Sequence, residues 1–276
     1  VLASLFKDNN IKYRQSDRSL IKPYELDLVL PDFNLAIEYC GLYWHSEQAL
    51  HRYPQPKNYH KDKYFKCSNK DYRLITIFEP EYLLKYAILE SMLLAQCNIY
   101  KYKIGSRQCT IQEVPIVLAK KFLEANHIQG FAPGKYIGLF YKDILMSLMV
   151  LFEYDTYYNL VRFVNRKHTL VYGSFSKLFK FFLKSRNNKP IITFADKRYF
   201  SGNVYINNGF DFVHEVAPSY YYFSNQFELL HKRNFQHKKL KKLFINYDPN
   251  LTEYQNCLNN GYNRIWDCGK IKYIYN

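Results

Sequence analysis

Four residues near the start of the chain have the types and spacing to do chemistry together. Glu25 and Asp27 stand two apart in PYELDLVLP, Glu38 follows eleven residues after Asp27 in NLAIEYC, and His45 closes the run GLYWH. Residues two apart on a strand share a face, and a hairpin would set Glu38 opposite that face. Carboxylates converging in an apolar hairpin repel and lose hydration unless a hard cation neutralises them, and oxygen-rich sites with open positions suit Mg²⁺ (or Mn²⁺). A histidine beside a metal carboxylate can take a proton from an attacking water. The alternative is that Glu25 and Asp27 face solvent while Glu38 pairs with a Lys or Arg.

The elements that must position these groups are legible. Glu25–Leu30 and Leu35–Tyr39 are short aliphatic runs separated by the turn-forming Pro31-Asp32-Phe33-Asn34, a hairpin signature. Tyr59–Asn69 has helical composition, RLITIF at Arg73–Phe78 reads as a buried strand, and Glu81–Gln96 carries an apolar helical face after Pro80. His60 and Lys63 fall three apart, on one face of the Tyr59–Asn69 helix. With a helix-like opening in LASLFKDNN, the order is α-β-β-α-β-α, an α/β sandwich. Because the first residue is Val, an upstream segment is expected to have been removed or to lie outside this sequence.

The strings ELD, IEYCGLYWH, YHKDKYFKC and YRLITIFEPE resemble phage-type homing endonucleases with an EDxHD-type site, relatives of the very-short-patch repair endonucleases in the PD-(D/E)xK superfamily. The resemblance covers roughly residues 11–97. It implies a restriction-endonuclease-like mixed sheet flanked by helices and Mg²⁺-dependent DNA cleavage. By motif match Asp27 takes the first metal position, and Glu38 or the main-chain carbonyl near Tyr39 the second. His45 becomes the general base, with His60 and Lys63 as charge stabilisers at the phosphate. Cys40 departs from the pattern, since Lys or a second histidine is expected there. The family's acidic residue on a preceding helix is also missing, Asp8 being a poor substitute. Glu79 and Glu81 read as structural or substrate-orienting.

Around Tyr100–Gln112 the helical pattern gives way to polar residues and Gly105, which places the expected boundary at 104/105. Residues 1–104 carry 15 Lys+Arg against 12 Asp+Glu, whereas 105–276 carry 24 against 12, so the second part holds most of the positive charge. It reads as helix 117–126, strands 136–141, 145–152 and 160–164, helix 175–185, strand 191–194, helix 203–208 and strand 219–224. HKRNFQHKKLKK at His231–Lys242 holds six Lys/Arg and no acid, compatible with one exposed basic helix.

IGLFYKDILMSLMVL, NLVRFVNR, VYGSFSKLFKFF and ITFADKRYFSGNVYINNGF resemble the GNAT, acetyltransferase-like fold. The cofactor signature of that fold is incomplete around Gly173: Leu170 stands where Gln or Arg is expected, and Phe175 where Gly or Ala is expected. A phenyl ring there should obstruct acyl-CoA, so no small-molecule substrate is expected. The domain is instead expected to bind double-stranded DNA through Arg162, Arg166, Lys167, Lys197, Arg198, Lys232, Arg233, Lys238, Lys239, Lys241 and Lys242.

Composition bounds these readings. The chain has 276 residues, 48% hydrophobic and 23% charged, close to globular averages, so disorder, collagen and coiled coil are excluded. No apolar run is long enough for a membrane span; the best, Ile137–Phe152, is broken by Tyr141-Lys142-Asp143. A net charge of +15 with 28 Tyr and 21 Phe suits phosphate neutralisation plus base contact, although an AT-rich genome also inflates these codons. Six scattered cysteines without CxxC pairs or clustered histidines predict reduced thiols, no zinc site and an intracellular protein, and the nuclease resemblance implies that it is phage-encoded. The expectation is therefore a Mg²⁺-dependent homing endonuclease with nuclease domain 1–104 and a GNAT-like basic domain 105–276. The alternatives are a non-cleaving DNA-binding protein with a decayed site, and a GNAT-type acyl- or base-modifying transferase.

Overall fold

The computed structural model describes residues 2–225 and 228–276. The chain forms two compact units: residues 1–84 with 196–199 and 216–270, and residues 85–195 with 200–215 and 271–276. This differs from a single crossing near Gly105. The break falls at Lys85, whose non-helical φ −134 and ψ 29 interrupt a helix, and a long C-terminal stretch returns to the first unit.

The first unit opens with α1 (Leu2–Asp8), then β1 (Arg14–Asp17), β2 (Leu26–Leu30), β3 (Leu35–Cys40), the single-turn α2 (Leu42–His45), α3 (Tyr59–Ser68) and β4 (Arg73–Phe78). The sheet order is β1-β2-β3-β4, antiparallel except for β3 and β4, which run parallel with α3 in their crossover. Leu26, Val29, Ala36 and Leu74 of the sheet share an apolar cluster with Cys67 of α3. Parallel strands covered in this way read as continuous apolar runs, as RLITIF does. The Pro31–Phe33 turn between β2 and β3 ends with Asn34 in the left-handed region, a conformation Asn tolerates.

Chain order continues with α4 (Glu79–Gln96), whose residues 79–84 belong to the first unit and the rest to the second. The second unit adds β5 (Tyr102–Gly105), β6 (Thr110–Glu113), α5 (Ile116–Asn126), β7 (Lys135–Tyr141), β8 (Ile144–Glu153), β9 (Tyr158–Asn165), β10 (Thr169–Tyr172), α6 (Ser174–Leu183), β11 (Ile191–Asp196), α7 (Asn203–Ile206) and β12 (Asp211–Val216). Strand alternation explains its two cores. Ile137, Leu139, Met149 and Leu151 pack with Phe175, Leu178 and Phe179 of α6. Tyr136, Phe140, Leu148 and Val150 pack with Ala119, Phe122 and Leu123 of α5. A sheet buried on both faces needs apolar residues at successive positions, hence LMSLMVLF.

The return segment contains β13 (Tyr220–Phe223), β14 (Leu230–His231), α8 (His237–Leu243), α9 (Glu253–Asn259), β15 (Asn263–Trp266) and β16 (Lys270–Tyr275). In the first unit β14-β13-β15 form a small sheet, and Ile265, Tyr221 and Phe223 join Cys40, Leu42 and Phe78 in one apolar cluster. This packing explains the return: without it the ends of β3 and β4 would lack cover. In the second unit β16 completes the order β12-β16-β11-β9-β8-β7-β6, while β5 and β10 pair separately and in parallel. The basic stretch expected as one helix is broken. Lys232–Phe235 form a 3-10 turn, Gln236 is non-helical with ψ 137, and Phe235 and Leu240 are buried in the first unit's core.

Candidate functional site

The chemistry-bearing side chains of the first unit gather where β3 ends. Glu38 and Cys40, two apart on β3, share a face, and Gly41 turns the chain directly into α2. The Glu79 carboxylate accepts from the Leu42 N–H at 2.9 Å and so caps α2, which presents His45 at its last position. Helix α3 contributes His60 and Lys63 from one face, both buried.

Buried Lys63 donates to Glu38 Oε1 in an ion pair, while Glu38 Oε2 is buried with no hydrogen-bond partner among the described residues. Burial lifts the Glu38 carboxyl to about 7 although the Lys63 ammonium pulls the other way. For Lys63 desolvation opposes the charged form, but the Glu38 carboxylate overrides it and the net direction is upward. The β2–β3 register pairs Leu28 with Ile37, and one step further sets Asp27 opposite Glu38. Asp27 Oδ2 accepts from the Tyr39 N–H at 2.6 Å, and burial raises its pKa against that bond.

The two imidazoles stack with centroids 5.3 Å apart, and His45 Nδ1 lies 3.1 Å from His60 Nε2. His60 Nδ1 is 2.6 Å from the Trp266 carbonyl oxygen, which can only accept, so Nδ1 carries the hydrogen and Nε2 a lone pair. Burial depresses both pKa values, to about 4 for His45 and well below the ordinary value for His60. Both rings are therefore neutral at pH 7. The thiol of Cys40 joins them: its sulfur and one nitrogen from each ring lie within 4.8 Å of one another.

Several expectations are corrected by this geometry. Two of the three carboxylates already have side-chain cations as partners. Glu25 is bonded to Arg18 at 2.7 Å and Glu38 is paired with Lys63, whereas Asp27 is half-buried on the Tyr39 N–H instead of facing solvent. Lys63 is thus a buried counterion for Glu38. Tyr39 runs in the ladder opposite Ile77 and uses its N–H on Asp27. His60 is hydrogen-bonded to Trp266, and the expectation of no zinc-type cluster fails at Cys40, His45 and His60. Their signal was Cys-x₄-His followed 15 residues later by a helical His, too loose a spacing to stand out.

The expected DNA contacts divide. Lys197 and Arg198 are buried: Arg198 is held by Glu81 and Asp196, and Lys197 lies 4.6 Å from the Phe65 ring centroid. Neither is at a surface a duplex could touch. Half-buried Arg162 and Arg166 donate to the carbonyls of Gly130 and Leu145, and Lys167 is half-buried as well. Arg233 and Lys238, Lys239, Lys241 and Lys242 are exposed, with Lys232 half-buried.

In the second unit the parallel pair β9 and β11 is registered only from Tyr158/Ile191 to Leu160/Thr193, while β9 stays paired to β8 as far as Asn165. Beyond Leu160 the two parallel strands part, leaving a wedge in the sheet. Gly173, left-handed at φ 69, starts α6, and a Cβ there would stand 3.1 Å from Ser106 Oγ. Lys177 pins that neighbouring turn by donating to the carbonyls of Ser106 and Cys109 at 2.8 and 2.6 Å. The Phe175 ring does not face the helix start. It is buried against Phe163, Phe179 and Tyr205, which corrects the expected obstruction.

No family model and no curated protein matches the chain. Solved structures do. Aminoglycoside 6'-acetyltransferase type Ii is 14% identical over 60% of this chain and 96% of its own, with a TM-score of 0.33. A Bacillus subtilis acetyltransferase in complex with CoA is 12% identical over 61% and 98%, with a TM-score of 0.37. A GNAT family acetyltransferase from Elizabethkingia anophelis with acetyl-CoA bound is 15% identical over 60% and 97%, with a TM-score of 0.33. The fold is mixed α/β with GNAT-like neighbours over about 60% of the chain. These neighbours are acetyltransferases rather than nucleases, and those with a bound molecule hold CoA or acetyl-CoA. On that finding the homing endonuclease, its phosphodiester hydrolysis and its Mg²⁺ or Mn²⁺ cofactor are withdrawn. Among the described residues no helix is long and apolar enough to cross a membrane.

Two outcomes follow from the buried charges. Lys63→Met strands a buried carboxyl and should cost about 3–5 kcal/mol in urea unfolding, with Glu38→Gln restoring much of it in the double variant. A loss below about 1 kcal/mol would mean the pair is effectively solvated. His45, depressed to about 4 when folded, contributes stability that is complete above the unfolded value of 6.5 and lost as pH falls towards 4. Glu38, raised to about 7, acts in the opposite sense, so the readout is the difference between the wild type and His45→Gln. The stability of the variant relative to the wild type should rise from about pH 7.5 to about 4.5; a constant difference would show that His45 is not buried neutral.

Proposed function

We propose that the chain is an acyltransferase of GNAT type whose second unit takes an acyl-CoA donor. The observation that carries this reading is the parting of β9 and β11 after Leu160/Thr193. A wedge between parallel strands exposes main-chain N–H and C=O groups inside a sheet. An extended, amide-bearing pantetheine arm can add there as a strand would, with its thioester carbonyl polarised by a backbone N–H. The start of α6 supplies forward-facing N–H groups suited to a pyrophosphate, and the exposed Arg107 beside Ser106 adds positive charge. With the Phe175 ring turned into the core, the helix start is open to a phosphate on that side.

In the reaction a nucleophile attacks the thioester carbonyl, the new bond to the acyl carbon forms, the C–S bond breaks, and the CoA thiolate leaves and is protonated. Six free, buried cysteines support action in a reducing, intracellular compartment. Calorimetric titration with acetyl-CoA should give saturable binding that CoA competes, weakened several-fold by Arg107→Glu. No binding up to about 1 mM would sink the assignment.

Polyanion binding is a second reading, favoured by the exposed Lys238, Lys239, Lys241 and Lys242 on and beside α8. The proposed partner is double-stranded DNA, bound without cleavage. Replacing these four lysines by Gln should flatten the dependence of log affinity on log salt by about 0.9 for each phosphate no longer neutralised. An unchanged slope would exclude this face.

A further inference from the structure

We propose that Cys40, His45 and His60 form a Zn²⁺ site in the first unit, independent of the acyl-CoA reading. The ligand atoms lie within 4.8 Å of one another, and the two ring nitrogens are 3.1 Å apart. Tetrahedral zinc with Zn–N bonds of about 2.0–2.1 Å sets its nitrogens roughly 3.3 Å apart, close to the spacing found here, so a small rotation of the rings would turn the hydrogen-bonded pair into a ligand pair.

The surroundings are those of an oriented ligand set. The Trp266 carbonyl holds the hydrogen on His60 Nδ1 and turns the Nε2 lone pair towards His45, the arrangement by which a second partner fixes a metal-binding imidazole. Moving the hydrogen of His45 from Nδ1 to Nε2 leaves a lone pair on each of the two facing nitrogens, within 4.8 Å of the sulfur. Glu38, two residues before Cys40 on the same face of β3, lies outside the set of mutually close ligand atoms, so the fourth position of a tetrahedral ion falls to water. Charge balances too. Zn²⁺ and Lys63 bring three positive charges against three from the Cys40 thiolate, Glu38 and Asp27. Binding displaces the thiol proton to solvent and needs no oxidant or reductant. Sulfur and imidazole donors select zinc over magnesium, which prefers oxygen.

The test uses the full chain, stripped with a chelator and titrated with Co²⁺ and then Zn²⁺. Co²⁺ should give tetrahedral visible bands with a thiolate charge-transfer band, at about one equivalent, and Zn²⁺ should bleach both. Cys40→Ser should abolish the charge-transfer band, and His45→Gln should weaken affinity by about tenfold or more. Far-UV circular dichroism without metal reports folding. Should Cys40→Ser not fold, the half-buried His45→Gln decides alone. Absence of Co²⁺ bands in folded wild type, bands unaltered in Cys40→Ser, or unaltered affinity in His45→Gln would each overturn the site.

Discussion

A buried charge must be matched where it stands, and in the first unit that constraint falls on Glu38. The residue sits on β3, in a sheet whose neighbouring positions are apolar, so its carboxylate is stable only beside Lys63. Pairing with Lys63 fixes how α3 lies on β3, and with it the position of His60 one helical turn away. His60 then constrains Trp266, and the cluster of Ile265 with Cys40 and Phe78 makes that constraint apolar as well as polar. The return of residues 216–270 to this unit is therefore tied to the same charged pair.

A second buried network repeats the logic. Arg198 is held by both oxygens of Glu81, Tyr199 also donates to Glu81, and Asp196 lies 3.6 Å from the guanidinium. In sequence, DKRYFSGN looks like a polar surface loop. In the structure Lys197 and Arg198 are both enclosed, and the Arg198 guanidinium is matched by the Glu81 carboxylate more than a hundred residues away. Two of the residues expected at a positive surface are thus enclosed within the fold.

Local periodicity was legible, and long-range pairing was not. The hairpin at Leu26–Cys40, helix α3, strand β4 and the β7–β9 meander stand where alternation and turn residues put them. Short strands such as β5 and β12 carry burial patterns with no clear alternation, and β5 pairs with β10, which is remote in sequence. Glu38 and Lys63 stand out in the sequence by type and spacing, yet whether a lysine three positions after His60 faces a phosphate or a carboxylate depends on how α3 docks. Cys40 was noticed as a departure from a motif. Its sharing of a face with Glu38 follows from strand period, but its closeness to His60 requires the crossover geometry.

Phe175 shows why a motif read letter by letter can mislead. A ring at a position expected to be Gly or Ala suggests a blocked approach, but at the first turn of a helix the side chain leaves on one side and the backbone N–H groups point along the axis. Here the ring lies between Phe163 and Tyr205, on the face of α6 that packs against the sheet, so it helps hold the helix start beside the diverging strands. What a phosphate would meet is main chain, Gly173 and the Ser106 turn, and none of these depends on the side chain at position 175. The aromatic richness of the second unit is in this respect a packing property, with Phe163, Phe175, Phe179, Tyr205 and Phe210 in successive contact.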